Sequence, residues 1–325
     1  MLKAAIYGMG AWGKHLIEAA EKSDKLRIVK GITRNPAAHR ELAAQHGMTL
    51  TDSYAEALRD PQIDAVVLAT PHSHHCAQIV QAAQAGKHVY VEKPITLTRE
   101  SAQQAVNACR AAGVTLTIGF NRRHSPAFLE MLRRIRSGEI GTVLHIEGQH
   151  SGPTGLHLKA GSWRASRSEA PAGGMTARGI HTIDSMIQIA GLVKSVYAFS
   201  ERRALPADIA IDDTTAMLLK FESGITGYLG TVFVTGNLWR LHVFGSKGWI
   251  EIRDNFELTA CDLKGALQKI TLPAIDMEKA TLEAFADAVA AKQPFVVPAE
   301  HAVNGIAVLE AIVASAASGS TVRIS

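Results

Sequence analysis

Cysteine is scarce: Cys76, Cys109 and Cys261 are the only three in 325 residues, widely separated and in no Cys-x-x-Cys pair. An odd, dispersed set excludes a disulfide framework and a thiolate metal site, and it is the usage expected of a chain kept in a reducing cytoplasm. Long apolar runs are also missing. The best of them, from Gly305 to Ser318, is short and broken by Glu310, so it reads as a core helix and not as a membrane span. A strand-like run begins at Leu2, which leaves no room for a signal peptide. Basic blocks are absent too. The formal net charge is +4, and the densest cationic cluster, Arg133, Arg134 and Arg136, lies on a helical pattern as a solvated face, so nucleic acid is not an expected partner. No internal repeat or low-complexity segment interrupts the chain. What remains is a sequence of 47% hydrophobic residues, long enough for two domains with full-sized cores.

The chain changes rhythm near residue 122. Before it, short apolar or β-branched runs at 3–7, 28–32, 65–69, 88–91 and 115–118 alternate with helical patterns at 35–46, 53–59, 76–85 and 99–112. That alternation predicts an α/β domain, residues 1–122, with a doubly wound parallel sheet covered by helices on both faces. After it, a helix at 126–137 leads to a long strand and a Gly/Ser/Pro-rich stretch at 151–174. A second helix from Ile180 then gives way to consecutive strands at 193–201, 214–222, 225–234, 238–245 and 249–253. Strands without intervening helices predict an α+β domain, residues 123–325, with a large mixed or antiparallel open sheet. Ile225, Tyr228, Val232 and Phe233 lend that sheet apolar surface, and self-association into a homo-oligomer is the expected cover for it.

The first run leads directly into Gly8-Met9-Gly10-Ala11-Trp12-Gly13 and then a helical pattern. This is the dinucleotide fingerprint in its proper strand–turn–helix context. Gly8 permits the tight turn, Gly10 lets the backbone approach a pyrophosphate, and Gly13 lets helix and strand pack closely, with the phosphates at the helix N-terminus. Twenty residues after Gly13, where an acidic residue normally binds the ribose of NAD, stand Thr33 and Arg34. Thr33 removes a charge that would repel a 2′-phosphate and Arg34 offers a forked cation to it, with His39 and Arg40 as second contributors. NADP(H) is therefore the expected cofactor, with NAD(H) the alternative.

A second motif, Glu92-Lys93-Pro94, closes the strand at 88–91. Ligands of open α/β sheets bind beyond the carboxyl ends of the strands, so Lys93 is expected at the cofactor crevice, where an ammonium can polarise a carbonyl oxygen or share a proton with an alcohol. Two groups of histidines, His72, His74 and His75, then His145, His150 and His157, superficially suggest metal ligands. A useful site needs three ligands in compatible geometry, and no metal is assigned.

The fingerprint, Thr70-Pro71 with His75, Glu92-Lys93-Pro94, residues 119–123 (Gly-Phe-Asn-Arg-Arg), Trp163-Arg164, and Gly173-Gly174 running to Gly179-Ile180-His181-Thr182-Ile183-Asp184 occur in one order. Jointly they resemble the Gfo/Idh/MocA oxidoreductases, the family of glucose-fructose oxidoreductase and inositol dehydrogenase, over nearly the whole chain. The resemblance implies a Rossmann domain, a second domain whose open sheet often makes the oligomer interface, and NAD(P)-dependent hydride transfer. It further implies that Lys93 and His181 form the catalytic pair and that Asn121 approaches both nicotinamide and substrate. Thr70, Pro71, His72 and His75 then line the cofactor loop, and Trp163 and Arg164 reach the cofactor from the second domain.

One position departs from that pattern. Many members carry Asp-x-Gly-x-His, and here the aspartate position is Ala177. Arg178 is expected to flank the imidazole of His181 instead, and Asp184, three residues on, to orient its ring or to serve a surface role. The expected activity is hydride transfer to or from a secondary alcohol or carbonyl of a small polar compound, a sugar, polyol or derivative. Arg122, Arg123, Arg164 and Arg178 keep open an anionic or aromatic-derived substrate, with Arg123 and Arg178 as its contacts. Ala177 keeps open a regulator that binds NADP without turnover.

Overall fold

In the computed structural model, residues 1–324 are described and fall into two compact units, Met1–Asn121 with Asp276–Ala299, and Arg122–Ile275 with 300–324. The first unit carries the strands β1 (Leu2–Tyr7), β2 (Leu26–Ile32), β3 (Thr49–Thr51), β4 (Ala65–Leu68), β5 (His88–Val91) and β6 (Leu116–Ile118). All pair in parallel, in the order β3-β2-β1-β4-β5-β6. This is the doubly wound order whose direction of winding reverses between β1 and β4. Helices α1 (Ala11–Glu21), α2 (Arg40–Gln45), α3 (Tyr54–Arg59), α4 (His75–Gln84) and α5 (Arg99–Ala112) make the connections. The central strand β4 is buried at all four positions, as a strand covered on both faces must be. Local chemistry sets the helix ends: Thr98 and Ser101 form a reciprocal capping box on α5, and Gly113 ends it at φ +65°.

The second unit opens with α6 (Pro126–Arg136), started by Ser125 as N-cap, and β7 (Val143–Ser151). After the irregular segment 152–174 comes α7 (Ile180–Ala190), followed by β8 (Val193–Glu201), β9 (Thr214–Phe221), β10 (Thr226–Val232), β11 (Leu238–Gly245), β12 (Gly248–Ile252), β13 (Glu257–Asp262), β14 (Leu267–Thr271) and β15 (Val322–Arg323). They form a nine-stranded sheet, β14-β13-β12-β11-β7-β10-β9-β8-β15, antiparallel except where β10 lies parallel to β7. Strict alternation marks its two faces. Met217, Leu219 and Phe221 point to the core, while Leu218 on the other face is 58% exposed, as is Phe199 at 62%. The free face differs in part from the sequence expectation. Tyr228 and Val232 belong to it, but Phe233 is 2% exposed and packs with Ile209 and Ile211 in a small separate core.

The chain then returns to the first unit. Helix α8 (Met277–Ala290) buries Leu282, Phe285 and Ala286 in the same core as Leu16, Ile28 and Tyr90, with the Phe285 and Tyr90 rings edge to face at 6.1 Å. Assignment of 123–325 wholly to a second domain is therefore corrected for 276–299, because the apolar stripe of α8 is satisfied on the Rossmann layers. Helix α9 (Ala299–Ser318) belongs to the second unit almost entirely, and Asn304 and Ser315 bond the backbone of β8 at Val193 and Ala198. Among the described residues it is the one helix long and apolar enough to cross a membrane; 61% of it is buried in this fold, through residues such as Ile306, Leu309 and Ile312.

Candidate functional site

In the first unit the fingerprint glycines stand where β1 and β4 diverge. Gly8 has φ +102°, and a Cβ there would lie 2.4 Å from the carbonyl oxygen of Ala69. A Cβ on Gly13 would lie 1.9 Å from the carbonyl oxygen of Gly8, so any side chain would force helix and strand apart. Gly10 is different: a Cβ there meets nothing within 4 Å, and Gly10 caps α1 without a side-chain hydrogen bond. The first N–H groups of α1 thus open onto a backbone cradle kept clear by the missing Cβ.

Past β2, Thr33 is half-buried and accepts from the Asn35 N–H at 3.4 Å. Arg34 is exposed and enters no ion pair among the described residues. Past β4, Thr70 is buried and its hydroxyl donates to Gln78 Oε1 at 2.6 Å, while Pro71 and His72 are partly exposed. His75, grouped by the sequence with the cofactor residues, is fully buried. Its Nδ1 lies 2.9 Å from the Pro94 carbonyl and its Nε2 3.0 Å from the Thr70 carbonyl, so the ring ties the loops after β4 and β5 together.

Glu92 is likewise turned inward from the place expected for it. It is 7% exposed and accepts hydrogen bonds from the Tyr90 hydroxyl, the Lys93 N–H and the Trp12 side chain. Burial raises its pKa, and the Trp12 hydrogen bond and the Lys93 charge offset this in part. The carboxyl is therefore an internal strut that fixes Trp12 of the fingerprint and the backbone of Lys93. The Lys93–Pro94 peptide is cis. Asn121 donates from Nδ2 to Glu278 Oε1 at 2.8 Å, a partner on α8 that no sequence signal links to it. Its Oδ1 is buried with no donor among the described residues.

In the second unit a turn of π-helix, Met175–Gly179, runs into α7 and carries Ala177 and Arg178. Ala177 packs against the small core around Phe233 and Ile211, an apolar setting for the position that carries aspartate elsewhere in the family pattern. Arg178 does not flank the imidazole as expected. Its guanidinium donates to Thr154 Oγ1 at 2.7 and 3.0 Å and to the Ser151 carbonyl at 3.0 Å, stapling the loop after β7, and burial lowers its pKa. Arg123, expected at the substrate, is engaged by Asp184: Nε and Nη2 donate to the two carboxylate oxygens at 2.8 and 2.7 Å, with both side chains largely buried. Asp184 is thereby committed to Arg123, with both of its oxygens engaged. Arg164 is exposed and stacks on Trp163 at 4.0 Å.

His181 is 9% exposed, and the ring of His150 on β7 lies beside it, centroid to centroid 5.9 Å at 51°. Opposite His150 in register stands Trp239 of β11, with the Arg122 guanidinium 4.3 Å from its ring. His150 and Trp239 were missed as site residues; the period-2 alternation of β7 through Ile146 and Gly148 places His150 on the buried face and was the available signal. No group of three His, Cys, Asp or Glu among the described residues is arranged to hold a metal ion.

Two family models match the chain. Residues 2–120 match the Gfo/Idh/MocA oxidoreductase family, NAD-binding Rossmann fold, and residues 128–251 match a Gfo/Idh/MocA C-terminal domain. An uncharacterized oxidoreductase, YrbE of Bacillus subtilis, is 31% identical over 252 residues, covering 75% of this chain and 71% of that protein. The scyllo-inositol 2-dehydrogenase (NAD(+)) of the same organism is 36% identical over 154 residues, covering 45% of this chain and 44% of that protein. Among solved structures, a putative NADPH-dependent oxidoreductase from Desulfitobacterium hafniense superimposes with a TM-score of 0.92 at 26% identity, over 99% of this chain and 97% of the other. Levoglucosan dehydrogenase in complex with NADH shares the fold at a TM-score of 0.90 and 22% identity, over 100% and 99% of the two chains.

Proposed function

The chain belongs to the Gfo/Idh/MocA family of oxidoreductases, and from that premise we propose that it is an NADP(H)-dependent dehydrogenase or reductase acting on a secondary hydroxyl or carbonyl of a sugar, polyol or related small compound. The observation that carries the reading is the cradle at Gly10, open where Gly8 and Gly13 are closely packed, at the uncapped start of α1. The buried, donorless Oδ1 of Asn121 is a second atom that suits a bound cofactor amide. Residues 8–13 would hold the pyrophosphate, Thr33 and Arg34 the ribose with its 2′-phosphate, and Thr70, Pro71, Lys93 and Asn121 the nicotinamide end. When bound, the nicotinamide supplies or takes the hydride.

The chain's own residues handle the oxygen and its proton. Lys93 polarises the substrate oxygen and positions the cofactor, and His181 takes the hydroxyl proton in oxidation or returns it in reduction. Support for a sugar-type substrate comes from relatives named as inositol dehydrogenases and an anhydrofructose reductase. Support for NADP(H) over NAD(H) is the exposed Arg34, in no ion pair among the described residues, beside the uncharged Thr33. Parallel titrations with NADPH and NADH, followed by turnover on a panel of polyols and aldoses, decide it. NADPH binding at least tenfold tighter, reversed by Arg34→Ala, is expected; equal affinities refute the preference. Lys93→Met should abolish turnover while leaving folding intact, as read from the intrinsic tryptophan fluorescence.

We further propose a homo-oligomer through the free face of the second unit's sheet, where Tyr197, Phe199, Leu218 and Tyr228 stand outward. Three cysteines in no disulfide suit the cytoplasm proposed for it.

A further inference from the structure

We propose that His150 is the proton partner of His181, taking over from β7 the part that an aspartate at position 177 cannot play in this chain. The inference rests on the oxidoreductase reading above and names a further residue for its proton path. Three observations place the ring. A Cβ on Gly148 would lie 2.6 Å from Thr182 Cγ2, so the missing side chain lets α7 settle onto β7. Two residues further along the same face of the strand, His150 emerges beside His181, the neighbour of Thr182, with the rings 5.9 Å apart. The register pairs His150 with Trp239 of β11 on the same face of the sheet, and both are buried, His150 at 4% exposure.

None of the side chains at 177, 178 and 184, the positions nearest to His181 in the sequence pattern, takes that place. Ala177 faces an apolar core, Arg178 is spent on Thr154 and Ser151, and Asp184 is spent on Arg123. The charged and titratable groups on the surrounding elements include Arg122 over Trp239, the Arg123–Asp184 pair with His301 of α9 within its field, His124 beside Arg123, and Arg178. Cations dominate this set, so a proton left on His181 would add to positive charge in a buried place. At the observed ring separation of 5.9 Å one water would bridge the two imidazoles. In the oxidising direction the O–H bond of the substrate breaks, its electron pair forms the new C=O bond, and the proton moves to His181. A bound nicotinamide would accept the hydride that leaves carbon with its own electron pair. His181 then passes a proton to His150, which releases it to solvent, and reduction runs the same path backwards.

The first test needs neither substrate nor cofactor. Histidine-labelled protein titrated by NMR should show His181 and His150 ionising as one coupled pair, in two steps shared by both rings. His150→Phe should convert His181 to a single-step titration. In turnover, His150→Phe and His150→Gln should lower kcat by about 10–100-fold with cofactor affinity unchanged, and His150→Phe should displace the acid limb of the kcat profile. Independent single-step titrations in the wild type overturn the proposal, as does a His150→Phe enzyme with wild-type kcat and an unmoved profile. A wild type that turns over no sugar or polyol with either cofactor refutes the functional reading instead, while the titration still judges the pair. Should His150→Phe fail to fold, His150→Gln and the wild-type titration carry the test.

Discussion

Replacing Gly10 and Gly13 separately by alanine should split stability from cofactor binding. At Gly10 the backbone is φ −71°, ψ −170°, open to any residue, and the new methyl group meets no protein atom within 4 Å. The substitution removes conformational freedom from the unfolded chain, which stabilises by about 0.4–1 kcal/mol at compatible sites. At Gly13 the methyl carbon would sit 1.9 Å from the Gly8 carbonyl oxygen and 3.0 Å from its carbon, both backbone atoms. Relief requires α1 to move from β1, and overpacking of this kind costs about 1–3 kcal/mol or more. The cradle reading demands the opposite order for the ligand. Gly10→Ala should weaken NADPH at least tenfold, about 1.4 kcal/mol, because its methyl group occupies the approach of the pyrophosphate. Urea unfolding measures the first effect, and quenching of Trp12, inside the fingerprint, measures the second. A Gly10→Ala protein that is as stable as the wild type and binds NADPH equally well would refute the cradle.

The remaining predictions concern the second unit. Arg123→Ala leaves the carboxylate of Asp184, 4% exposed, without its bidentate partner, and should destabilise by about 3–5 kcal/mol; a change below 1 kcal/mol in chemical unfolding would show that the pair is dispensable. Glu130 is held at a pKa of about 2, from 4.5, by hydrogen bonds from Arg133 and then Arg134 against the opposing effect of burial. Being depressed, it contributes stability that is complete above 4.5 and is lost as pH falls towards 2, so thermal midpoints should fall across that window and fall less in Glu130→Gln. Asp213 acts in the same direction. Burial raises its pKa, but the N–H groups of Ala204, Leu205 and Arg203 and the Thr214 hydroxyl together lower it below 3.8. Leu218→Lys combined with Phe199→Lys should reduce the mass measured by light scattering if the free sheet face joins subunits; an unchanged mass would refute that interface.

The alternating half of the chain was legible in the sequence because both of its signals are local. Each strand of the first sheet but the short β3 shows as an apolar run, and α5 was bounded at Arg99 and Ala112 by its own cap and terminal glycine. The fingerprint needed only its neighbours in sequence, since turn, backbone approach and helix packing are all properties of residues 8–13. The second sheet was read as several consecutive strands, and β13 and β14 escaped; the edge strand β14, Leu267–Thr271, is exposed along most of its length and carries little apolar pattern.

Side-chain partnerships were not legible. A guanidinium written next to His181 in sequence, Arg178, turns to Thr154, while Arg123, 61 residues before Asp184, is the one that binds it. Helix α8 shows the same limit at larger scale. Its amphipathic pattern says that one face must be buried, but only the tertiary fold chose the Rossmann layers, where Leu282 and Phe285 meet Tyr90. The sequence by itself determined the two folding patterns and the dinucleotide turn, since these follow from residue type and short spacing, while the missing aspartate at Ala177 was visible only through the family resemblance. The tertiary structure decided which charges are already paired and which imidazole lies beside His181, because burial and distance depend on how elements far apart in sequence pack together.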